Sequence, residues 1–158
     1  MSIGLWVRGA RPKTLATSIA SVMVGAAMAY VHIEQSGTCI AMYPEPASCA
    51  TAREQQTLLM DRFWPVTILC LLVALFLQIA VNYANDYSDG IRGTDAGRDT
   101  DESKSGKPQR LTASGLVPAK HVLFSAMICA AIACICGVVA VVLAQAWWLL
   151  AVGAASLL

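Results

Sequence analysis

The chain has few charged residues for its length. Asp, Glu, Lys and Arg make up 13% of its 158 residues, whereas hydrophobic types make up 57%. A typical soluble domain has about 25% charged residues and an apolar share of about half or less. The shortage of charge therefore excludes an ordinary soluble domain and favours a membrane protein. The formal net charge of +1 by itself says nothing about nucleic acid, and we expect no nucleic-acid partner.

Histidine is also scarce. The two copies, His32 and His121, lie near the ends of apolar segments, with no His, Cys or acidic partner at ligand spacing. Cys134 and Cys136 lie two residues apart in an apolar run, so on a helix they point to different faces. These patterns argue against a metal site built from His and Cys.

Long apolar runs account for most of the chain. Three are long enough, or nearly so, to cross a bilayer as helices of about 20 residues. They extend from Leu15 to Val31, from Trp64 to Ala84 and from Val122 to Ala144. A fourth begins at Trp147 and is still apolar at Leu158. We predict an all-α integral membrane protein, a transmembrane helical bundle with about three complete spans and the start of a fourth.

The basic residues are divided unequally among the segments between these spans. Nine of the eleven lie before the first span or between the second and third, and two lie between the first and second. Lys and Arg are enriched in cytoplasmic loops. We therefore expect a multi-pass protein of the cytoplasmic (inner) membrane, with the N-terminus and the loop 85–121 in the cytoplasm and the loop 32–63 outside.

The outward loop 32–63 is polar, contains two prolines and shows no clear period. We predict a loop with one short helix near Thr51 to Asp61. Cys39 and Cys49 both lie in this loop. In an oxidising compartment they can form a disulfide, and two free or buried thiols are an equally open alternative.

The most informative stretch is polar and lies at the inner end of the second apolar run. It reads Asn82-Tyr-Ala-Asn85-Asp86-Tyr-Ser-Asp89. On a helix, its acids and amides share one face, which holds Gln78, Asn82, Asn85, Asp86 and Asp89. Carboxylates at a membrane boundary are costly unless they have a function, and like charges three residues apart repel. A divalent cation removes this repulsion, and oxygen ligands of this kind suit Mg²⁺.

Beyond this stretch, the cytoplasmic loop mixes acids and bases. Gly90 and Gly93 are expected to end the helix. Asp95 is a third candidate metal ligand, because the loop can fold back toward the helix. The three later acids are interpreted as solvated loop residues.

Two common ion-binding or phosphate-binding loops are excluded by spacing. The acids lack the D-x-[DN]-x-[DN]-G run and the closing Glu of an EF-hand. Gly106-Lys107 is followed by Pro108, and no glycine precedes it at the distance that a Walker loop requires.

At these residues the chain resembles the UbiA-type intramembrane prenyltransferases. Asn82-x-x-Asn85-Asp86-x-x-Asp89 looks like the first Asp-rich motif of that family. Arg11-Pro-Lys-Thr-Leu15 resembles its N-terminus, and Arg110-Leu-Thr-Ala-Ser-Gly115 resembles the basic segment before its third helix. The pattern Asn85-Asp86-Tyr-x-Asp89-x-x-x-Gly93-x-Asp95 is most similar to the branch that prenylates 1,4-dihydroxy-2-naphthoate for menaquinone.

The resemblance implies a UbiA-like helical bundle and a reaction at its inner end. Mg²⁺ is expected to bind the diphosphate of an isoprenoid diphosphate and the carboxylates of Asp86, Asp89 and Asp95. The expected substrate contacts are Asn82, Asn85, Arg11, Lys107 and Arg110. The electron-rich ring of the acceptor attacks the allylic carbon and then loses its carboxyl group as CO₂. The prenyl chain lies among the apolar helices.

The resemblance also indicates that part of the site is missing. The family has a second Asp-rich motif in the C-terminal half of a bundle of about nine helices, whereas no acid follows Glu102 here. We therefore expect residues 1–158 to be the N-terminal part of one transmembrane domain. Alone they are expected to be inactive, so that the missing C-terminal half or a second chain is needed for a complete site.

Two other classes of protein are considered. CDP-alcohol phosphotransferases also have acids at a cytoplasmic span end, but their motif requires Asp-Gly followed by Ala-Arg at a fixed spacing, whereas Ile91-Arg92-Gly93 follows Asp89-Gly90 here. A non-enzymatic membrane scaffold whose acidic loop binds cations is the remaining alternative. Binding of an isoprenoid diphosphate separates the scaffold from the prenyltransferase, and turnover of a CDP-alcohol separates the two enzymes.

Overall fold

A computed structural model describes residues 3–36, 46–92, 111–112 and 117–156. These residues form helices and their connections, with no strand among them. The helices are α1 (Ile3–Gly9), α2 (Pro12–Ser36), α3 (Pro46–Arg92), α4 (Ala119–Ala144) and α5 (Trp148–Ser156). By length and composition, α2, α4 and the part of α3 from Cys49 to Arg92 can cross a membrane. The prediction of an all-α membrane protein with three spans is confirmed.

A tight turn joins α1 to α2. The amide of Ala10 donates to the carbonyl of Trp6, and the amide of Arg11 donates to that of Arg8, which closes the end of α1. Arg11 adopts a left-handed backbone conformation with φ 53°. Pro12 opens α2, because its fixed φ suits the first helical position, where no amide hydrogen is needed.

The segment between the first two predicted spans differs from the prediction. The structure has one continuous helix from Pro46 through Pro65 to Arg92, where the sequence predicted a loop containing a short helix at Thr51 to Asp61. Residues 50–62 are rich in Ala, Arg, Glu, Gln, Leu and Met, which favour helix, and this local preference outweighs the lack of apolar period.

The C-terminal end of α3 was predicted at Gly90 and Gly93. Gly90 lies inside the helix, which is described as far as Arg92. A glycine inside a helix is tolerated where close packing requires it. Gly93 lies outside the described residues.

The cysteines divide into two groups. Cys49 is disulfide-bonded, which settles the state that the sequence left open for this residue. Cys39 lies outside the described residues. The other four cysteines are free thiols on α3 and α4, at positions Cys70, Cys129, Cys134 and Cys136.

The chain divides into two compact units. The first unit comprises Met1–Ile19 and Leu72–Ile135. Its core contains Ala10 from the α1–α2 turn, Tyr83 from α3, and a set from the α4 side of the unit: Leu111, Val117, Val122 and Ala126. Side chains from three separate segments of sequence thus meet in one cluster.

The second unit comprises Ala20–Leu71 and Cys136–Leu158. Phe63 is its largest buried side chain, and its ring makes edge contacts with Tyr30 and Trp64 at centroid distances of 5.5 and 5.1 Å. A largely apolar cavity of about 470 Å³ lies beside Phe63, between α2 and α3. The part of α2 in this unit has no buried residue.

Candidate functional site

The acidic motif lies on α3 in the first unit, on regular helix throughout. Asn82 and Asp86 are each 3% exposed and are the buried polar residues among those described. Asp89 is half-buried, and Asn85 is exposed. The predicted polar face therefore has a buried side, formed by Asn82 and Asp86, and an accessible side.

Asn82 connects α3 to the α1–α2 turn. Its Nδ2 donates to the carbonyl oxygen of Ala10 at 2.8 Å and to Oγ1 of Thr14 at 3.0 Å. Its Oδ1 accepts from Nε2 of Gln78 at 3.4 Å, which is long for a hydrogen bond. The sequence assigned this amide to the substrate, but both of its short hydrogen bonds are made to Ala10 and Thr14 of the protein.

Tyr83 makes a second connection to α1. Its hydroxyl donates to the carbonyl oxygen of Trp6 at 3.0 Å, and the two rings meet edge to face with centroids 5.6 Å apart. The same carbonyl oxygen also accepts from the amide of Ala10 at 2.9 Å, so Tyr83 adds a side-chain bond to the end of α1. Tyr83 and Asn82 together fix the end of α1 and the turn that follows it against α3.

Asp86 connects α3 to the segment that precedes α4. Its Oδ2 accepts a hydrogen bond from the amide of Leu111 at 2.7 Å. A buried carboxylate is costly unless hydrogen bonds compensate for lost water, and a bond to a charged acceptor is stronger than a neutral one. The side chain of Leu111 is fully buried in the core of the first unit. Asp86 therefore has a structural contact in addition to its predicted role as a ligand.

Two glycines make room for residues 111 and 112. A Cβ added to Gly9 would lie 2.5 Å from Cδ1 of Leu111. A Cβ added to Gly90 would clash with the Cβ and Cγ2 of Thr112. This close approach explains why a glycine is present inside α3, one residue after the last acid of the motif.

The described residues supply part of the expected magnesium site. They contain no group of three His, Cys, Asp or Glu side chains that could hold a metal by itself. Asp86 and Asp89 supply two carboxylates within one helical turn. Mg²⁺ is usually bound by one or two carboxylates together with substrate phosphates and water, so this pair fits an ion shared with a diphosphate. The predicted third ligand, Asp95, lies outside the described residues.

The predicted basic contacts are only partly described. The side chain of Arg11 is half-buried, in the turn that Asn82 holds. Lys107 and Arg110 lie outside the described residues. Sequence reasoning missed Gly9, Thr14 and Leu111, which arrange the turn and the acids. The only local signal was Gly9, because a glycine followed closely by Arg-Pro is typical of a helix end.

Three curated relatives match most of this chain. The 1,4-dihydroxy-2-naphthoate octaprenyltransferase of Mycobacterium tuberculosis is 38% identical over 154 residues, which cover 97% of this chain and 40% of the relative. The protein of the same name from Mycobacterium leprae is 35% identical over 153 residues, with the same two coverages. The one from Haemophilus influenzae is 30% identical over 117 residues, or 74% of this chain and 28% of the relative.

The chain thus spans about 40% of the length of the mycobacterial relatives. No solved structure gives a significant match. Residues 57–158 match the UbiA prenyltransferase family, and this region includes the acidic motif, residues 111–112 and α4. The match covers more than half of the chain, and the chain belongs to the UbiA prenyltransferase family.

Proposed function

We propose that the full-length protein transfers a polyprenyl group from an isoprenoid diphosphate to 1,4-dihydroxy-2-naphthoate in menaquinone synthesis, with Mg²⁺ as cofactor. The family and the names of three relatives support prenyl transfer of this kind. The observation that carries the proposal is the pair Asp86 and Asp89. These acids lie one turn apart near the end of a membrane-spanning helix, and the first of them is 3% exposed.

The acids of α3 suit the departure of a diphosphate. Bound Mg²⁺ supplies positive charge that stabilises the leaving group. Asp86 and Asp89 would hold the ion, with Asp95 as a further ligand. Asn85 is exposed beside them and can contact the substrate with its amide. The backbone amide of Leu111 fixes one oxygen of Asp86, so this carboxylate needs little reorganisation when substrate binds.

The basic residues have a complementary role in the proposal. Lys107 and Arg110 would contact the phosphates, and Arg110 offers two parallel N–H donors to phosphate oxygens. Arg11 would contact substrate at the membrane surface, from the turn before α2. When the allylic C–O bond breaks, the diphosphate keeps the electron pair. The ring of the acceptor then attacks the allylic carbon and later releases CO₂.

The remainder of the site is proposed to come from outside this chain. Each mycobacterial relative is about two and a half times as long as the matched region, which covers 40% of it. No residue after Glu102 is acidic in this chain. A second acidic cluster, supplied by further sequence or by a second chain, would complete the diphosphate site. Residues 1–158 alone are expected to bind substrate weakly and to show no transfer.

The direct test is a transfer assay with the full-length protein in membranes. Labelled octaprenyl diphosphate and 1,4-dihydroxy-2-naphthoate are supplied with Mg²⁺, with EDTA, or with EDTA and restored Mg²⁺. Labelled prenylated product is expected only where Mg²⁺ is free. Cation binding without binding or transfer of the isoprenoid diphosphate would support the scaffold alternative, and turnover of a CDP-alcohol in place of prenyl transfer would support the phosphotransferase.

The orientation of the chain is part of the same proposal. The unequal distribution of Lys and Arg supports an orientation in which the acidic motif lies at the cytoplasmic face of the inner membrane. Single cysteines at position 36 or 103, in a cysteine-free background, are treated in intact cells with a membrane-impermeant thiol reagent. Labelling of position 36 and protection of position 103 are expected. The opposite pattern would reverse the orientation.

A further inference from the structure

The two amides of the acidic motif have different surroundings. Asn85 is exposed, whereas Asn82 is 3% exposed. The NH₂ group of Asn82 has two hydrogens, and its nitrogen has two short acceptors, the carbonyl oxygen of Ala10 and Oγ1 of Thr14. Both donors of Asn82 are therefore used within the protein, and none is left for a phosphate.

The acceptors of Asn82 lie on both sides of Arg11. Ala10 directly precedes it, and Thr14 follows it in the first turn of α2. The hydroxyl of Thr14 also donates to the carbonyl oxygen of Arg11 at 2.9 Å. Asn82, Thr14 and the backbone of Arg11 thus form one hydrogen-bonded chain.

The backbone of Arg11 needs such support. Its φ of 53° lies in the left-handed region, which costs free energy for a residue with a Cβ because the Cβ approaches the following carbonyl oxygen. Glycine adopts this conformation without that cost and is the common residue at the end of a helix. An arginine at this position is held there against its local preference, and the bonds from Asn82 oppose relaxation of the turn.

We propose that Asn82 is a positioning residue. It holds the turn from Ala10 to Thr14 so that the side chain of Arg11 is presented to the substrate diphosphate, and it does not contact the substrate itself. The proposal rests on the proposed function, in which Arg11 is a substrate contact. It assigns the first amide of the motif a different task from the second.

The test uses the KM for labelled octaprenyl diphosphate in the full-length protein. Arg11→Gly removes the guanidinium and leaves a residue that tolerates the turn. Asn82→Ala removes the two bonds. Each single change is expected to raise KM about tenfold with kcat changed less than threefold, and the double variant should have the KM of Arg11→Gly. If the KM increase in the double variant is instead the product of the increases in the two single variants, Asn82 acts on the substrate directly and the proposal is wrong.

Thr14 provides a conservative pair for the same test. Thr14→Ser keeps the hydroxyl that accepts from Asn82, and wild-type KM is expected. Thr14→Val removes it, and KM should rise less than in Asn82→Ala. If Asn82→Ala does not fold, Thr14→Val combined with Arg11→Gly serves in the same comparison. Equal KM for the Ser and Val variants would contradict the proposal.

A second readout does not depend on catalysis. Release of Ala10 should free the end of α1, so trypsin should cleave after the exposed Arg8 several-fold faster in Asn82→Ala than in wild type. Asn85→Ala is the matched control and should leave the cleavage rate unchanged. An unchanged rate in Asn82→Ala overturns the proposal. Loss of Mg²⁺-dependent transfer in the wild-type assay, with the cleavage result intact, would instead count against the proposed function.

Discussion

The first unit joins its segments with hydrogen bonds that are buried or partly buried, whereas the second joins them with hydrogen bonds that are exposed. In the first, Asn82, Tyr83 and Asp86 reach Ala10, Trp6 and Leu111. In the second, half-buried Gln56 donates to the carbonyl oxygen of Glu34 at 3.2 Å, and exposed Arg62 donates to that of Leu143 at 3.3 Å.

The difference follows from the membrane as solvent. Lipid tails are as apolar as Leu, so apolar contact alone gives helices little reason to adopt one arrangement. Hydrogen bonds specify distance and direction, and the first unit uses them where acids must be placed. The second unit packs rings around Phe63 and retains a cavity of about 470 Å³. Precise placement is thus concentrated in the unit that carries the acids.

Replacement of an acid by its amide should have the largest difference in effect between the two units, measured as the rate of prenyl transfer. Asp86→Asn or Asp89→Asn in the full-length protein should each lower Mg²⁺-dependent transfer at least 100-fold, about 3 kcal/mol of transition-state stabilisation. The reason is the loss of negative charge that holds the ion. Asp61→Asn makes the same change at an exposed position of α3 in the second unit and should transfer normally. Near-normal transfer by either site variant would remove the basis of the proposed function.

Truncation of a leucine to alanine should lower the stability of the protein more in the first unit than in the second. Leu111 is 0% exposed, so Leu111→Ala should destabilise the protein by about 2–5 kcal/mol through the cavity it leaves. Leu58 in the second unit is 52% exposed, and Leu58→Ala should change stability by less than about 0.5 kcal/mol. The measurement is the chemical-denaturation midpoint in detergent. Equal shifts would show that the core of the first unit is not the better packed.

The disulfide should affect stability without affecting chemistry. Cys49 lies in the second unit, and loss of a native disulfide costs typically about 2–4 kcal/mol. Cys49→Ser should lower the Tm, and reducing agent should lower the wild-type Tm to the same value. Transfer below the Tm should be unchanged. A fall in turnover at constant Tm would show that the second unit contributes to the reaction.

Two tyrosines allow the smallest and cleanest comparison. Tyr83→Phe removes the hydroxyl that donates to Trp6 in the first unit, and about 1 kcal/mol of stability should be lost. Tyr30→Phe in the second unit removes an exposed hydroxyl 3.2 Å from Oε1 of Glu34. Its effect should be too small to resolve, because water replaces that bond. If Tyr30→Phe lost more stability than Tyr83→Phe, the second unit would depend more on its hydrogen bond than the first, and the comparison would be wrong.

The spans could be predicted from the sequence, because long apolar runs are local signals. The boundaries of α3 could not be predicted. Its first turns, from Pro46, are polar and helical by residue preference rather than by period, and Gly90 lies inside the helix rather than at its end. In both places the composition of a short window gave the wrong boundary.

The candidate acids were also accessible to sequence reasoning, because Asp86 and Asp89 lie three residues apart. The contacts that place them were not. Asn82 bonds to Ala10 across 72 positions, and Asp86 bonds to Leu111 across 25. No periodicity within α3 identifies a partner so distant, so the prediction that Asn82 binds substrate was made without its bonds to the turn before α2.

The left-handed backbone of Arg11 should affect which residues replace it in proteins that evolve from this sequence. Replacement by glycine relaxes the turn, so selection for stability alone favours the loss of arginine. In the proposed function, Arg11 contacts the substrate, and selection for catalysis opposes that drift. In lineages that abandon the reaction, glycine or asparagine should accumulate at this position early, before the buried core begins to change. The residue at position 11 should therefore mark which descendants still use the site.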